Sequence, residues 1–142
     1  MRTFLLIFSA AILAACTPAK VDRTLKDVES YISERPDSAL AVLESIDRSD
    51  LKSRRSEAHH ALLHAMALDK NYIDVTDDSL ASVAVSYFQK HGPKKYLARS
   101  LYYKGLSYYY NKEYDKSIIE LSKAEPVAAI YDSLYLGFIK VL

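Results

Sequence analysis

From Val21 onward the apolar residues recur with the period of a helix. Val21, Leu25, Val28 and Ile32 stand at i, i+4, i+7 and i+11 and draw one stripe of a first helix. Arg35-Pro36-Asp37-Ser38 interrupts it, because Pro36 pushes the preceding residue out of helical geometry and can itself open the next helix. Along that second helix Ala39, Leu40, Leu43 and Ile46 share a face, and Asp47-Arg48-Ser49-Asp50 is a polar turn. A third helix is predicted over about residues 51–70, on Ala58, Ala61, Leu62, Ala65 and Leu68. Asp77 or Asp78 offers a carboxylate to the free amides of a fourth, whose Leu80, Val83, Ala84, Tyr87 and Phe88 form a stripe for burial. His91-Gly92-Pro93 closes it, with Gly92 placed for a left-handed cap. A fifth helix is expected over residues 94–111 and a sixth over 113–125, which Pro126 kinks or ends; a seventh begins at Leu134. No segment sustains the alternation of a strand, so the fold is predicted to be all-α.

The helices also come in matched pairs. In register, Ala39, Ala81 and Ser117 align, then Leu43, Val85 and Leu121, then Ile46, Phe88 and Ala124. Tyr96-Leu97-Ala98 is echoed by Tyr135-Leu136-Gly137. The pattern small, large, then apolar recurs at steps of 42 and 36 residues, and self-similarity of this kind points to stacked repeats. The stretch Leu101-x-x-Lys104-Gly105-x-x-Tyr108, followed by Tyr114-Asp115-Lys116-Ser117-x-x-x-Leu121-x-x-Ala124, resembles a tetratricopeptide repeat (TPR) over about residues 98–131. Leu101 stands where that family prefers Trp, Lys104 replaces its Leu and Ser117 its Ala, and Pro126 comes early. The two preceding pairs match only in helix length and small-residue placement. The resemblance implies an antiparallel helix-pair solenoid of about three pairs plus an unpaired C-terminal helix, occupying residues 22–142. The alternative is an irregular helical bundle with one TPR-like hairpin.

Ahead of this body, Arg2 and the apolar run at residues 4–13 have the charge and length of a secretory signal, and the run is too short to span a bilayer. Leu13-Ala14-Ala15-Cys16 resembles the lipobox of bacterial lipoproteins. That resemblance implies a signal peptide over residues 1–15, lipidation of Cys16, and a tether over residues 16–21. The competing reading is an ordinary signal peptide with a chance cysteine. Several acyl chains anchor stably where one is marginal. No acidic run follows Cys16, which places the expected anchor at the outer membrane, facing the periplasm. Glu34-Arg35-Pro36-Asp37-Ser38-Ala39-Leu40 and Leu68-Asp69-Lys70-Asn71-Tyr72 are similar to TPR lipoproteins of gut-type bacteria.

Composition narrows the function. A formal charge of +1 gives no field for nucleic acid, and removing Arg2 with the signal leaves 18 basic residues against 18 acidic. One cysteine allows neither an intrachain disulfide nor a Cys-cluster zinc site. Gly92, Gly105 and Gly137 lie too far apart for a phosphate-cradling loop. His60 and His64 have the i, i+4 spacing of helical zinc ligands, but Ala61 stands where the catalytic motif has Glu and no third ligand is evident. Asp74-Val75-Thr76-Asp77-Asp78 lacks the glycine and closing Glu of a calcium loop and is read as helix capping. No catalytic set, metal, cofactor or small-molecule substrate is expected.

There are twelve tyrosines and no tryptophan, and five of the tyrosines fall between Tyr102 and Tyr110, nearly encircling the fifth helix. A helix aromatic on most sides must be enclosed by neighbours. In TPR proteins the first helix of each pair lines a peptide-binding groove, which by resemblance maps to Arg99, Tyr102, Leu106 and Tyr109. His59, Leu62, Met66 and Asp69 match them in the pair before. Packing between repeats is the competing role for each tyrosine. The expected function is that of a membrane-anchored scaffold binding a protein or peptide. The alternative is the input module of a longer envelope signalling or transcription-regulatory protein. The apolar run from Gly137 to Leu142 lacks a polar cap, so the chain is expected to be incomplete or its last helix to dock elsewhere.

Overall fold

The computed structural model describes residues 18–142. Seven α-helices follow one another: α1 (Pro18–Tyr31), α2 (Pro36–Ser45), α3 (Arg54–Lys70), α4 (Ser79–Phe88), α5 (Lys94–Tyr110), α6 (Tyr114–Tyr131) and α7 (Ser133–Val141). A 3₁₀ turn at Arg48–Asp50 joins α2 to α3, and the described residues contain no strand. The predicted signal segment and Cys16 lie outside the described residues.

Local chemistry sets the helix ends. α1 is described from Pro18 onward. Its stripe of Val21, Leu25, Val28 and Ile32 is buried as expected. The Ser53 hydroxyl accepts the Ser56 amide at 3.0 Å to open α3. Asp77 accepts the Ser79 amide at 2.6 Å at the start of α4. Its neighbour Asp78 instead accepts the hydroxyls of Ser82 and Tyr108, at 2.8 and 2.9 Å, and so ties α4 to α5.

Two expectations are corrected. α6 runs through Pro126 to Tyr131. The proline faces solvent, so water can serve the carbonyl it leaves unbonded, while Ala124 and Ala128 on either side are fully buried. Burial on both flanks offsets the roughly 3 kcal/mol that an interior proline costs. Gly92 is not left-handed either. The chain leaves α4 through a turn in which the His91 amide bonds the Tyr87 carbonyl at 3.1 Å. The left-handed residues are Tyr72 (φ 59°) and Lys112 (φ 63°), each directly after an asparagine that ends α3 or α5.

Those two helices are equivalent. Each has 17 residues, and each residue of α3 has its counterpart 40 positions later in α5. Ala58 and Ala98, Leu62 and Tyr102, Leu63 and Tyr103, Ala65 and Gly105, and Met66 and Leu106 are buried in both. Each odd-numbered helix packs on the next odd one, and each even-numbered helix packs on its two sequence neighbours, giving two unequal layers. Buried small residues seat the even helices: Ala39 in α2, Ala81 in α4 and Ser117 in α6. At Gly105 the backbones of α5 and α6 come so close that a Cβ would stand 2.8 Å from Leu121 Cγ and 3.3 Å from the Ser117 carbonyl. α7 docks on α5 and α6 through Tyr135 and Ile139.

Candidate functional site

The face of the odd helices is closed at one end by the chain's own polar groups. Glu29 of α1 accepts the Tyr96 hydroxyl of α5 at 2.6 Å, and its carboxylate lies 3.2 Å from His59 Nε2 of α3. Arg99 Nη1 of α5 is 3.5 Å from the other Glu29 oxygen, with Lys95 Nζ at 3.9 Å. Arg99 Nε also donates to Asp132 at 2.7 Å, and its guanidinium lies over the Tyr135 ring. Asp132 in turn caps α7 by accepting the Tyr135 amide. One carboxylate thus joins α1, α3 and α5, and an arginine carries the link to α7. Burial opposes the charge on Glu29, but the bonds from His59 and Tyr96 and the nearby positive charge of Lys95 outweigh it and bring its pKa down to about 2.

This joint decides the fate of the eight groove residues expected from sequence. His59 and Arg99 are both engaged by Glu29 of their own chain. Leu62, Met66 and Leu106 are core residues. Tyr102 is only 8% exposed, packed against the rings of Tyr103, Tyr135 and Phe138 at 5.1, 5.3 and 6.0 Å. Packing is therefore the role of five of the eight, counting Arg99 beneath α7. Asp69 is half-buried, and its carboxyl is raised above the usual range by burial, with Asp74 adding to the shift and Lys70 opposing it. Tyr109 alone is substantially open, at 41%.

Around Tyr109 a different surface assembles. Its ring lies 5.7 Å from that of Tyr114 and 6.0 Å from that of Tyr110. With Tyr114, Ile118, Leu121, Ile139 and Leu142 it lines an open groove of about 300 Å³ between the end of α5, the outer face of α6 and the end of α7. Ser117, Ser122 and Glu125 supply its polar groups. The floor is apolar and the tyrosine rings are flat and amphipathic, a combination that accepts apolar side chains while hydrogen-bonding a backbone. Sequence reasoning named Tyr109 but missed the rest. The signal was present in Ile118 and Ile119, two large apolar residues adjacent on a helix that can bury only one face.

The remaining candidates have local partners. His60 Nε2 is 2.9 Å from the Leu43 carbonyl, which fastens α3 to α2, and its ring meets that of His64 edge-on. Burial and the neighbouring His60 lower the pKa of His64. Among the described residues no group of three or more His, Cys, Asp or Glu is placed to hold a metal ion, and no helix is long and apolar enough to cross a membrane. Comparison of the chain with family models, curated proteins and solved structures finds no match.

Proposed function

We propose that this chain is a lipid-anchored bacterial envelope protein whose TPR-like helical stack binds a protein or peptide partner, and that the partner docks in the tyrosine-lined groove of α5, α6 and α7. The observation that carries the proposal is that groove: about 300 Å³, open, apolar at its floor, and rimmed by Tyr109 and Tyr114. A helix or strand of another polypeptide laid along it would bury apolar side chains against Ile118 and Leu121. The 40-residue equivalence of α3 and α5, with the close approach at Gly105, supports the TPR-like reading. The apolar run ending at Cys16 supports the anchor. The role is binding rather than catalysis.

Crosslinking in intact envelopes followed by pull-down tests the groove, comparing wild type with Tyr109→Ala/Ile118→Asp. Both side chains are exposed, so the variant should keep its helicity. Loss of a specific partner is expected; equal recovery from both proteins refutes the assignment. A radiolabelled fatty acid should mark wild type and not Cys16→Ala, and labelling of both would remove the anchor.

A further inference from the structure

Between α1, α3 and the start of α5 lies a cavity of about 120 Å³, lined by Asp22, Lys26, Arg55, His59, Phe88 and Tyr96. It adjoins the joint at Glu29, since His59 and Tyr96, which both bond that carboxylate, form part of its wall. Their rings are stacked at 5.2 Å, and the buried Phe88 meets Tyr96 edge-on at 5.1 Å. Lys26 of α1 and Arg55 of α3 are the cations of the lining, and neither has an ion-pair partner among the described residues. Burial and Glu29 raise the pKa of Tyr96 while the charges of Arg99 and Arg55 oppose the rise, which sets both guanidiniums near its hydroxyl. The one acid in the lining, Asp22, already accepts the Ser56 hydroxyl at 2.7 Å.

We propose that this cavity binds a phosphate group. At this end of the odd helices Lys26, Arg55, Lys95 and Arg99 stand against the carboxylates of Asp22, Glu29 and Asp132, so positive charge is in excess even with His59 neutral. The three carboxylates are engaged by the chain's own donors: Asp22 by Ser56, Glu29 by His59 and Tyr96, and Asp132 by Arg99. Lys26 and Arg55 are what remains for a ligand. Aromatic walls of low polarity focus the field of such cations into the cavity. Arginine presents a planar fork of N–H donors and lysine a compact charge with three more, a pairing that suits a tetrahedral group with several oxygens. The size agrees, since the cavity holds roughly four times the share of one water in the liquid, enough for a single phosphate. Such a group can come from solution or from the head of a lipid. Cys16 precedes Lys26 by ten residues, so the lipid source rests on the anchor proposed above, whereas the soluble source does not.

Calorimetric titration of the full chain in a non-ionic detergent with inorganic phosphate, at constant ionic strength, should give one saturable site per chain with a Kd of about 1 mM or below. Lys26→Gln/Arg55→Gln should weaken binding roughly tenfold or more, because two charged donors are lost. Both positions are exposed, so this variant should keep wild-type helicity and melting temperature. Lys112→Gln/Lys140→Gln removes two charges just past the far end of α5 and in the last turn of α7, and should leave binding unchanged. Glycerophosphoglycerol, the water-soluble head of phosphatidylglycerol, separates the sources: displacement of phosphate at equal concentration assigns a lipid head, and no displacement assigns phosphate in solution. Absence of saturable binding, undiminished binding by Lys26→Gln/Arg55→Gln, or equal loss in both double variants would each overturn the site. Tyr109→Ala/Ile118→Asp should bind phosphate as wild type does, so failure of the groove and failure of this cavity are read separately.

Discussion

Replacing Glu29 with glutamine removes one charge and little volume from the point where α1, α3 and α5 meet. On folding, the carboxyl goes from an ordinary 4.5 to about 2. A shift of that size corresponds to about 3 kcal/mol of stability above both values. The side chain is still 19% exposed, so solvent screening brings the expected contribution to about 1–2 kcal/mol. The sign follows from the direction of the shift. A lowered folded-state pKa contributes fully above the unfolded value and loses its effect as the pH falls from 4.5 towards 2. Urea unfolding followed by circular dichroism should therefore find Glu29→Gln about 1–2 kcal/mol less stable than wild type at neutral pH. The gap should narrow below about pH 4 and nearly close by about pH 2.5. A gap under about 0.3 kcal/mol at neutral pH, or one that stays constant on acidification, would show that the carboxylate is not the joint described.

Gly105→Val would force a branched side chain into the space held by Leu121 and the Ser117 carbonyl. Thermal melts should show a loss of about 2 kcal/mol, or roughly 8 °C in Tm, and an unchanged Tm would mean that α5 and α6 are not held at the distance found. Lys112→Gly should act in the opposite direction, because glycine takes a left-handed conformation without the cost borne by lysine. A gain of about 0.5–1 kcal/mol in unfolding experiments is expected, and a loss would argue against the positive φ at that position.

Most helices were legible because each buries one face, and the apolar period of Val21–Ile32 records which face it is. In α4 the period found Ala84 and Phe88 but also named Val83, which is 37% exposed, and passed over Ala81 and Val85. Pro126 misled because a local rule was applied where packing on both flanks was stronger. The groove misled for a different reason. Residue spacing correctly placed Arg99, Tyr102, Leu106 and Tyr109 along one face of a helix, but what lies opposite that face depends on the curvature of the stack. Glu29 reaches Tyr96 across 67 positions of sequence, and no periodicity reports such a contact. Likewise Tyr102 is buried by Tyr135 and Phe138, from a helix whose docking the sequence left open. Of the joint, His59 and Arg99 were named from sequence as groove residues, while Glu29 and Asp132 were not.

The equivalence of α3 and α5 can be followed position by position. Excising residues 54–93 would bring Ser53 directly onto Lys94, and the shortened chain would put Asn111 where Asn71 now ends its helix. Arg99 would take the place of His59 beside Glu29, a carboxylate it already reaches. Duplicating the same 40 residues would insert a unit with matching ends. In the shortened chain the side facing α2 would not carry over unchanged, because His60, which fastens α3 to the Leu43 carbonyl, would give way to Ser100.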